Sequence, residues 1–208
     1  MEKDYYSYIK EGFKRWSPFY DIWTIPISRV RNKVVDFIDA RSGSIILDVA
    51  TGTGGQAIVF AKKDYSVIGI DMSEDMLKIA NKKNKYKSLK FEVADAISIP
   101  FENKYFDVSC VSFGLHDMPF SIREKVLKEM ARVTRPEGII VIVDYALPRN
   151  KVCKYLVYHF VKSYESKYYP EFIKSDLGAL LRKSKIEIKN ELRIFLGAIR
   201  IVKGVKLN

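Results

Sequence analysis

A glycine-rich turn after an apolar strand is the first place where this sequence could bind a ligand. Residues 45–55 read IILDVATGTGG, so a buried strand ends near the carboxylate of Asp48 and a turn follows with Gly52 and Gly54. Glycine tolerates positive φ angles and lets the backbone approach a ligand closely. Ligands of open α/β sheets bind at the carboxyl ends of the strands. The turn is therefore predicted to be the floor of a nucleotide-like cofactor site.

The glycine spacing fits two kinds of cofactor, and Asp48 discriminates between them. Gly52-x-Gly54-x-x-Ala57 matches the dinucleotide fingerprint, and Asp71 lies 19 residues beyond Gly52, where an NAD enzyme places its ribose-binding acid. A carboxylate at position 48 would repel a pyrophosphate, but it would attract the cationic sulfonium and amino groups of S-adenosylmethionine. The sequence therefore favours S-adenosylmethionine, released as S-adenosylhomocysteine. A nicotinamide-dependent oxidoreductase is the alternative.

Two further carboxylates follow apolar segments of the kind that form strands. Asp71 ends VIGID, where it could accept hydrogen bonds from both ribose hydroxyls, and Met72 could pack its thioether on an adenine face. Asp95 follows FEVA, where its carboxylate could accept from the exocyclic amine while the Ala96 N–H meets a ring nitrogen. A helix cap and a simple turn aspartate are the structural alternatives for Asp71 and Asp95.

The segment FDVSCVSFGLHDMP carries the candidate catalytic groups. Ser112, Phe113 and Gly114 should line the space between the methionyl part of the cofactor and the substrate. His116 and Asp117 lie just beyond, at the mouth. Histidine is the side chain best suited to take a proton near neutral pH, so His116 is predicted to be the base, with Asp117 orienting it. The alternative is a loop histidine with a local hydrogen-bonding role.

Alternating strands and helices must position these residues. Strands are predicted at residues 44–50, 66–70, 89–93, 106–112 and 138–145, with helices at 28–40, after the glycine turn, at 73–82 and at 122–133. Residues 185–191 and 193–202 alternate in polarity and predict a terminal hairpin. The expected fold is α/β: a Rossmann-like, seven-stranded, mostly parallel sheet with a C-terminal antiparallel hairpin and helices on both faces.

Length and composition limit the remaining possibilities. At 208 residues the chain is predicted to be a single domain, 1–208. It shows no signal pattern and no run of 18 apolar residues, and Cys110 reads as a buried thiol, so a cytoplasmic location is expected. Two histidines and two unclustered cysteines predict no structural zinc site. The oligomeric state cannot be read from the chain.

The positive charge is concentrated near the C-terminus. The formal net charge is +11, and residues 149–208 contribute 14 Lys and Arg against 5 Asp and Glu, a net +9. This third of the chain could contact an anionic membrane or an RNA, with Tyr158, Tyr164, Tyr168 and Tyr169 available for base stacking. A solvated lysine-rich surface is the simpler interpretation, and the sequence holds no RNA-recognition signature.

The motifs LDVATGTG, GIDMSEDMLKIA, FEVADAISIPF, FDVSCVSFGLHDM and EMARVTRPEGIIVIVDYALP resemble those of class I methyltransferases that methylate carbon in ubiquinone and menaquinone biosynthesis. The resemblance covers about nine-tenths of the chain. It implies that Tyr20 and Thr24 close over the methionyl end of the cofactor. With them, the expected cofactor residues are Tyr20, Thr24, Asp48, Ala50, Gly52, Gly54, Asp71, Met72, Asp95, Ala96, Ser112 and Phe113.

The resemblance departs from the family pattern at the acceptor end. Quinone methyltransferases of this type usually carry Arg-Asn after the SFGL-like segment, where this chain has His116 and Asp117. The expected acceptor is therefore a small apolar or aromatic molecule, with a quinol carbon as one candidate. An RNA methyltransferase or a non-catalytic RNA-binding module that uses the basic third is the alternative.

Two helical segments are predicted to enclose the acceptor. Residues 1–40 form an N-terminal lid, and residues 149–184 form an insertion on the substrate side. Within the insertion, residues 151–167 carry one apolar helical face, and Tyr145 should form part of the pocket wall. This face is either an ordinary core surface or the wall of an apolar pocket whose basic rim rests on an anionic membrane. His159 is expected to pack in an apolar environment.

Overall fold

The computed structural model describes residues 5–9 and 28–207. Tyr20 and Thr24 lie outside the described residues, so their predicted role at the cofactor has no structural counterpart. Residues 5–9 are helical. The division of the chain into a lid segment, 1–40, and an insertion, 149–184, stays a prediction.

Seven strands and seven α-helices account for most of the region from residue 28 to residue 207. The strands are β1 (Ile45–Val49), β2 (Ser66–Asp71), β3 (Leu89–Val93), β4 (Phe106–Ser112), β5 (Thr134–Tyr145), β6 (Ile186–Ile194) and β7 (Ile199–Lys206). The helices are α1 (Ser28–Ile38), α2 (Gly55–Ala61), α3 (Glu74–Lys83), α4 (Phe120–Val133), α5 (Lys151–Lys162), α6 (Tyr169–Lys174) and α7 (Leu177–Lys183). Short 3₁₀ turns cover Leu115–Asp117 and Phe195–Gly197.

All seven strands form one sheet in the order β3-β2-β1-β4-β5-β7-β6. The pairs β1–β2, β1–β4, β2–β3 and β4–β5 are parallel, whereas β7 is antiparallel to both β5 and β6. The predicted fold class is therefore confirmed. The strand order reverses between β1 and β4, and this reversal leaves a crevice at their carboxyl ends where ligands of such sheets bind.

Neighbouring side chains of each strand point to opposite faces of the sheet, and helices cover both faces. On one face, Leu47 and Val49 of β1 belong to a core that includes residues of α4, α6 and α7. On the other face, Ile46 packs in a second core with residues of α1 and α2. The near-continuous apolar sequence of β1 follows from this burial on both faces.

The helix predicted at residues 73–82 is confirmed as α3, and Ser73 is its N-cap. Ser73 adopts an extended backbone, and its side-chain oxygen accepts a hydrogen bond from the Met76 N–H at 3.3 Å. Glu74 and Asp75 lie in the first turn, where carboxylates interact favourably with the helix dipole.

The terminal hairpin is present, but its turn was predicted at the wrong place. The two strands are joined through Phe195–Gly197, not near residue 192. Phe195 and Leu196 have φ angles of 51° and 55°, and Gly197 has φ of 95°. Two bulky residues in the left-handed region give no turn signal, because such turns usually contain glycine or asparagine. The alternation pattern therefore did not reveal the boundary.

The helix in the basic insertion is shorter and more exposed than expected. Helix α5 ends at Lys162 and is followed by the separate short helices α6 and α7. Several of its apolar side chains lie outside the core: Val152 is 67% exposed and Phe160 is 69% exposed, whereas Val161 is buried. His159 is exposed and not in the core, although its ring contacts those of Tyr155 and Tyr158 at centroid distances of 4.3 and 5.1 Å, so the prediction that it packs is met only by these aromatic contacts. None of the helices in the described part of the chain has the length and apolarity needed to cross a membrane.

Candidate active site

A cleft opens at the carboxyl ends of β1, β2 and β4, and we call it the cofactor cleft. It encloses about 690 Å³ of space when the solvent at its open mouth is included. The sequence-predicted residues in its lining are Ala50, Gly52, Asp71, Met72, Asp95, Ala96, Phe113 and Asp117. The lining also includes Tyr5, Ile9, Ile70, Met76, Ala94, Gly114, Met118, Ile122 and Val126, most of which the sequence did not single out.

The glycine turn has the backbone conformation that its composition predicts. Gly52 and Gly54 have φ angles of 55° and 77°. A Cβ atom on Gly54 would lie 2.5 Å from the ring of Phe91, so no larger residue fits there without a shift. Ala50 and Phe113 also have positive φ angles, 52° and 54°. Left-handed conformations of non-glycine residues are strained and cluster at functional sites, and both of these residues border the cleft.

Asp71 fixes two loops beside the cleft. One carboxylate oxygen accepts a hydrogen bond from the Gly52 N–H at 2.8 Å, and the other accepts from the Ser73 N–H at 2.9 Å. Burial raises the pKa of Asp71, and the two amides oppose the rise. The helix-cap alternative fails for Asp71 because Ser73 caps α3. Asp71 instead joins the β1 turn to the end of β2.

Asp48 lies buried at the end of β1 and is only 1% exposed. Its Oδ2 atom accepts a hydrogen bond from the Thr51 hydroxyl at 2.5 Å, whereas Oδ1 has no hydrogen-bond partner among the described residues. Burial raises the pKa of the carboxyl from 3.8 to about 7. The Thr51 hydrogen bond, a backbone hydrogen bond from Ala57 and the charge of Arg31 oppose this rise, and Asp71 adds to it. Asp48 does not line the cleft, so its charge acts on a cationic ligand from beneath the glycine turn.

Asp95 connects the cleft to the N-terminal helical segment. Its Oδ2 atom accepts a hydrogen bond from the Tyr6 hydroxyl at 2.8 Å, and Oδ1 accepts from the Ile97 N–H at 3.0 Å. Tyr5 and Ile9 of the same segment line the cleft and are almost fully buried. Burial raises the pKa of the Tyr5 hydroxyl far above its usual value. Residues 5–9 therefore cover one side of the cleft.

His116 does not lie at the mouth, where the sequence places it, but behind Asp117 and only 3% exposed. Its Nδ1 atom lies 2.8 Å from Asp144 Oδ1, and its Nε2 atom lies 3.2 Å from Glu165 Oε2 and 3.6 Å from Asp117 Oδ2. Asp144 also accepts from the His116 backbone N–H at 3.2 Å and from the Tyr145 N–H at 2.7 Å. We call His116, Asp117, Asp144 and Glu165 the histidine cluster.

The histidine cluster is electrostatically coupled. Burial alone would lower the pKa of His116, but the carboxylates of Asp117 and Asp144 and the hydrogen bond that Glu165 accepts from the imidazole raise it well above the usual value. Burial raises the pKa of Asp117, and His116 opposes that rise. Burial would raise the pKa of Glu165, but the hydrogen bond that it accepts from His116 helps to lower this pKa below its usual value. Both imidazole nitrogens therefore face carboxylate oxygens.

Tyr145 contacts the histidine cluster but does not line the cofactor cleft. Its hydroxyl donates to Glu165 Oε1 at 2.6 Å, and its ring lies edge-on to Phe113 and His116, with centroid distances of 5.5 and 4.9 Å. Ser112 is half-buried at the end of β4 and also lies outside the lining. The structure thus brings Asp117 to the cleft and Tyr145 to the cluster behind it.

The sequence analysis missed Asp144 and Glu165. Asp144 had a usable signal, because it ends the apolar strand β5 in the same way that Asp48 ends β1. Glu165 had none: it lies in the connection after α5, 49 residues from His116 in sequence. Only the folding of the insertion against the sheet brings it to the histidine.

The sheet order, the glycine turn and the cleft at the strand reversal define the class I methyltransferase fold. A methyltransferase structure from Aquifex aeolicus, described as S-adenosylmethionine dependent, superposes with a TM-score of 0.67 at 22% identity and covers 85% of this chain and 89% of its own. The chain belongs to the ubiE/COQ5 methyltransferase family, whose sequence model matches residues 8–183.

Individual relatives agree with this assignment. Two proteins named demethylmenaquinone methyltransferase, from Paenarthrobacter aurescens and Lactobacillus johnsonii, are 35% and 32% identical over 151 and 165 residues. The matches cover 68% and 74% of this chain. They span only 58% and 65% of the length of these relatives. The predicted resemblance to the quinone-biosynthesis group is confirmed at the level of the family.

Proposed function

We propose that this protein is an S-adenosylmethionine-dependent methyltransferase that acts on a small aromatic acceptor, with a quinol carbon as the favoured target. Membership of the ubiE/COQ5 family supports the reaction class. The names of the relatives support a demethylmenaquinol-like acceptor. The single observation that carries the cofactor assignment is the buried Asp48 carboxylate, whose Oδ1 atom lacks a partner in the described part of the chain.

The cleft residues fit the chemical groups of this cofactor. When bound, S-adenosylmethionine supplies an electrophilic methyl group on a cationic sulfonium. Asp48 contributes negative charge beneath the turn, where the low local dielectric strengthens its attraction for a cation. Asp71 presents carboxylate oxygens to ribose hydroxyls, and Asp95 with the Ala96 N–H presents an acceptor and a donor to an adenine edge. Met72 contributes a polarizable apolar contact.

The acceptor end faces Asp117, the member of the histidine cluster that lines the cleft. A hydroxyl on the acceptor ring can donate a hydrogen bond to Asp117, and this raises the electron density of the ring carbon that is methylated. His116 holds Asp117 from behind, at 3.6 Å between Nε2 and Oδ2. We therefore retain His116 and Asp117 as the proposed catalytic pair, with the carboxylate contacting the acceptor and the histidine positioning it.

The chain contributes alignment and the exclusion of water to the transfer step. Holding the nucleophilic carbon in line with the methyl group removes entropy from the barrier. Tyr5, Ile9, Met118 and Ile122 supply apolar walls around the cleft. These walls keep water away from the reacting atoms and so strengthen the interactions of the Asp117 carboxylate.

Calorimetry with S-adenosylmethionine, followed by transfer of a labelled methyl group to a reduced demethylated naphthoquinone, tests the proposal. We expect binding by the wild type and a loss of about 10–100-fold in affinity for Asp71→Ala, because charge-assisted hydrogen bonds contribute about 1.5–3 kcal/mol. Asp117→Asn should bind the cofactor and lower kcat by about 10²–10⁴. Absence of cofactor binding by the wild type at millimolar concentration would refute the assignment.

We further propose that the acceptor is taken from an anionic membrane through an apolar surface, which we call the docking face. It consists of Val152, Tyr155, Leu156 and Phe160 of α5 together with Phe195 and Leu196 of the hairpin turn. These side chains are all more than half exposed, and Leu196 is 88% exposed. Phe195 and Leu196 line one shallow hollow together with Asn150 and Cys153, so the hairpin turn lies beside the start of α5.

The charge around the docking face favours an anionic surface. Lys151, Lys154 and Lys162 lie on α5, and Arg149 and Arg193 line the hollow beside the turn. Interfacial binding needs both buried apolar side chains and cationic attraction, and each lysine near an anionic bilayer contributes about 1 kcal/mol. Neither contribution alone gives stable adsorption, and this surface offers both.

Co-sedimentation with vesicles tests the docking face. Binding to phosphatidylglycerol-containing vesicles, with little binding to neutral vesicles, is the expected result. Phe160→Ser and Leu196→Ser should weaken it, whereas the same change at the exposed Tyr105, which precedes the central strand β4, should not. Equal binding of all variants, or no binding to either vesicle, would exclude this surface and favour a water-soluble acceptor. The family assignment gives no support to the RNA-binding alternative.

A further inference from the structure

The histidine cluster places three potential metal-ligating atoms at one point. His116 Nε2, a carboxylate oxygen of Asp117 and a carboxylate oxygen of Glu165 all lie within 4.8 Å of one another. The shorter separations are 3.2 Å from Nε2 to Glu165 and 3.6 Å from Nε2 to Asp117. Ligands at about 2.0–2.2 Å from a tetrahedral ion are separated by about 3.3–3.6 Å. The two nitrogen-to-oxygen distances are therefore close to those that a shared ion requires.

The surroundings of these atoms are those of a ligand set that is held in place. His116 Nδ1 is directed at Asp144 Oδ1 at 2.8 Å, which fixes the imidazole with Nε2 pointing toward Asp117 and Glu165. Metal-binding histidines almost always donate their second ring N–H to a carboxylate or carbonyl in this way. The Tyr145 hydroxyl holds Glu165 Oε1 at 2.6 Å and leaves Oε2 facing the histidine.

The carboxyl groups of the cluster outnumber its nitrogen donors. Those of Asp117, Asp144 and Glu165 surround the single imidazole of His116, at oxygen-to-nitrogen distances of 3.6, 2.8 and 3.2 Å. None of the three carboxylates forms an ion pair with a lysine or arginine within residues 5–9 and 28–207. Arg123 and Arg200 act on Asp144 only from a greater distance. Buried charges in proteins are usually paired or coordinate metals.

An unpartnered phenol beside the cluster is an independent sign of a missing ligand. Tyr169 is fully buried, and its hydroxyl has no hydrogen-bond partner in the part of the chain that the structure describes. Its ring lies edge-on to Tyr145 at 5.7 Å, and the groups that act electrostatically on its hydroxyl include His116 and Glu165. An ion in the cluster, or a water bound to that ion, would give this hydroxyl a partner.

We propose that His116, Asp117 and Glu165 bind one divalent first-row transition ion, with Asp144 orienting the histidine. One imidazole and two carboxylates suit Zn²⁺ or Mn²⁺, and three protein ligands leave a position open for water or substrate. Because Asp117 also lines the cofactor cleft, the open position adjoins the acceptor end. The ion would then polarise an acceptor hydroxyl, and this role, unlike the binding itself, rests on the proposed methyltransferase function.

Calorimetric titration of the chelator-treated full chain with Zn²⁺ alone tests the binding. We expect one ion per chain, and we expect His116→Gln and Glu165→Gln each to weaken binding by at least about 10–100-fold, the loss seen even when an outer-shell partner is removed. The protein has two histidines, so His159→Gln is the matched control and should bind as the wild type does. Asp144→Asn should weaken binding without abolishing it.

The variants also separate this inference from the proposed function. Glu165 is partly exposed, so Glu165→Gln is expected to fold. If His116→Gln fails to fold, the metal affinity of Glu165→Gln still tests the proposal. The visible absorption of bound Co²⁺ should change in Glu165→Gln, while S-adenosylmethionine binding by this variant should not. Absence of Zn²⁺ binding by the wild type, binding that survives both ligand substitutions, or loss of binding in His159→Gln would overturn the proposal. Failure of cofactor binding alone would refute the proposed function and leave the metal site standing.

Discussion

Replacing Asp48 by asparagine isolates the free-energy cost of keeping a carboxylate beneath the glycine turn. The substitution preserves the shape of the side chain and an oxygen that can accept the Thr51 hydrogen bond, but it removes the charge. Because Asp48 is buried and its Oδ1 atom has no partner among the described residues, the ionised form is poorly solvated. We therefore expect Asp48→Asn to stabilise the cofactor-free protein at alkaline pH.

The magnitude follows from the pKa of the carboxyl group. Its rise from 3.8 to about 7, at about 1.36 kcal/mol per pH unit, corresponds to about 4 kcal/mol. Since the folded pKa lies above the unfolded value, the folded protein favours the protonated carboxyl. The stability that depends on Asp48 is therefore fully present below about pH 4 and is lost as the pH rises through 7. About 3 kcal/mol of the change falls between pH 5 and pH 8. The asparagine variant lacks this dependence.

Urea denaturation of both proteins at pH 5 and pH 8 measures the effect. The difference in unfolding free energy between Asp48→Asn and the wild type should shift by about 3 kcal/mol in favour of the variant on going to pH 8. Comparison with the variant cancels the titration of all groups that the two proteins share. Addition of S-adenosylmethionine should stabilise the wild type more than the variant, because the cation compensates the carboxylate.

A free-energy difference that is the same at pH 5 and pH 8 would refute the reasoning, because it would mean that Asp48 is not held as a costly buried anion. A cofactor that stabilises both proteins equally would separately refute the electrostatic role of Asp48. Asp64→Asn, at an exposed position, is the matched control for the change in side-chain chemistry.

Four further substitutions test a turn, a helix cap and a buried ion pair. Gly54→Ala should destabilise the fold by about 1–3 kcal/mol in thermal denaturation, because φ is 77° and the new Cβ meets Phe91; an unchanged melting temperature would contradict this. Ser73→Ala should cost about 0.5–2 kcal/mol through loss of the α3 cap, measured by urea denaturation. Glu171→Gln should lower the free energy of unfolding by about 1–3 kcal/mol because it leaves the buried Arg123 guanidinium without its counter-charge. Arg123→Met should lower it less, because the exposed Glu171 is solvated. The reverse order of the two variants in urea denaturation would be inconsistent with the structure.

The sequence predicts the parts of this protein in which local pattern and final position coincide. Strands β1, β2 and β4 and the second half of β5 are rich in apolar residues, and Asp48, Asp71 and Asp95 lie at or just after strand ends, so both the sheet and one edge of the cleft can be read from the chain. The αL glycines and the Ser73 cap are equally local signals. In these cases the residue type determines the backbone conformation directly.

The arrangement around His116 could not be predicted because it depends on contacts distant in sequence. Local pattern suggests a histidine at a strand end and therefore a solvent-accessible base. The structure instead buries it between Asp144 and Glu165, which are 28 and 49 residues away. Helix α5 is a similar case, since an apolar helical face looks the same in sequence whether it joins the core or remains exposed. Tertiary packing decides both outcomes.

The two amide hydrogen bonds to Asp71 have a consequence for the strength of ligand binding. The Gly52 and Ser73 N–H groups hold this carboxylate in a single orientation within the ligand-free fold. A hydroxyl that binds there meets an acceptor whose rotational entropy was already lost during folding. The entropic penalty of association is correspondingly smaller, since an immobilised side chain otherwise costs about 0.5–1.5 kcal/mol. Because these loops are ordered before the ligand binds, less entropy is lost on binding and the affinity is higher.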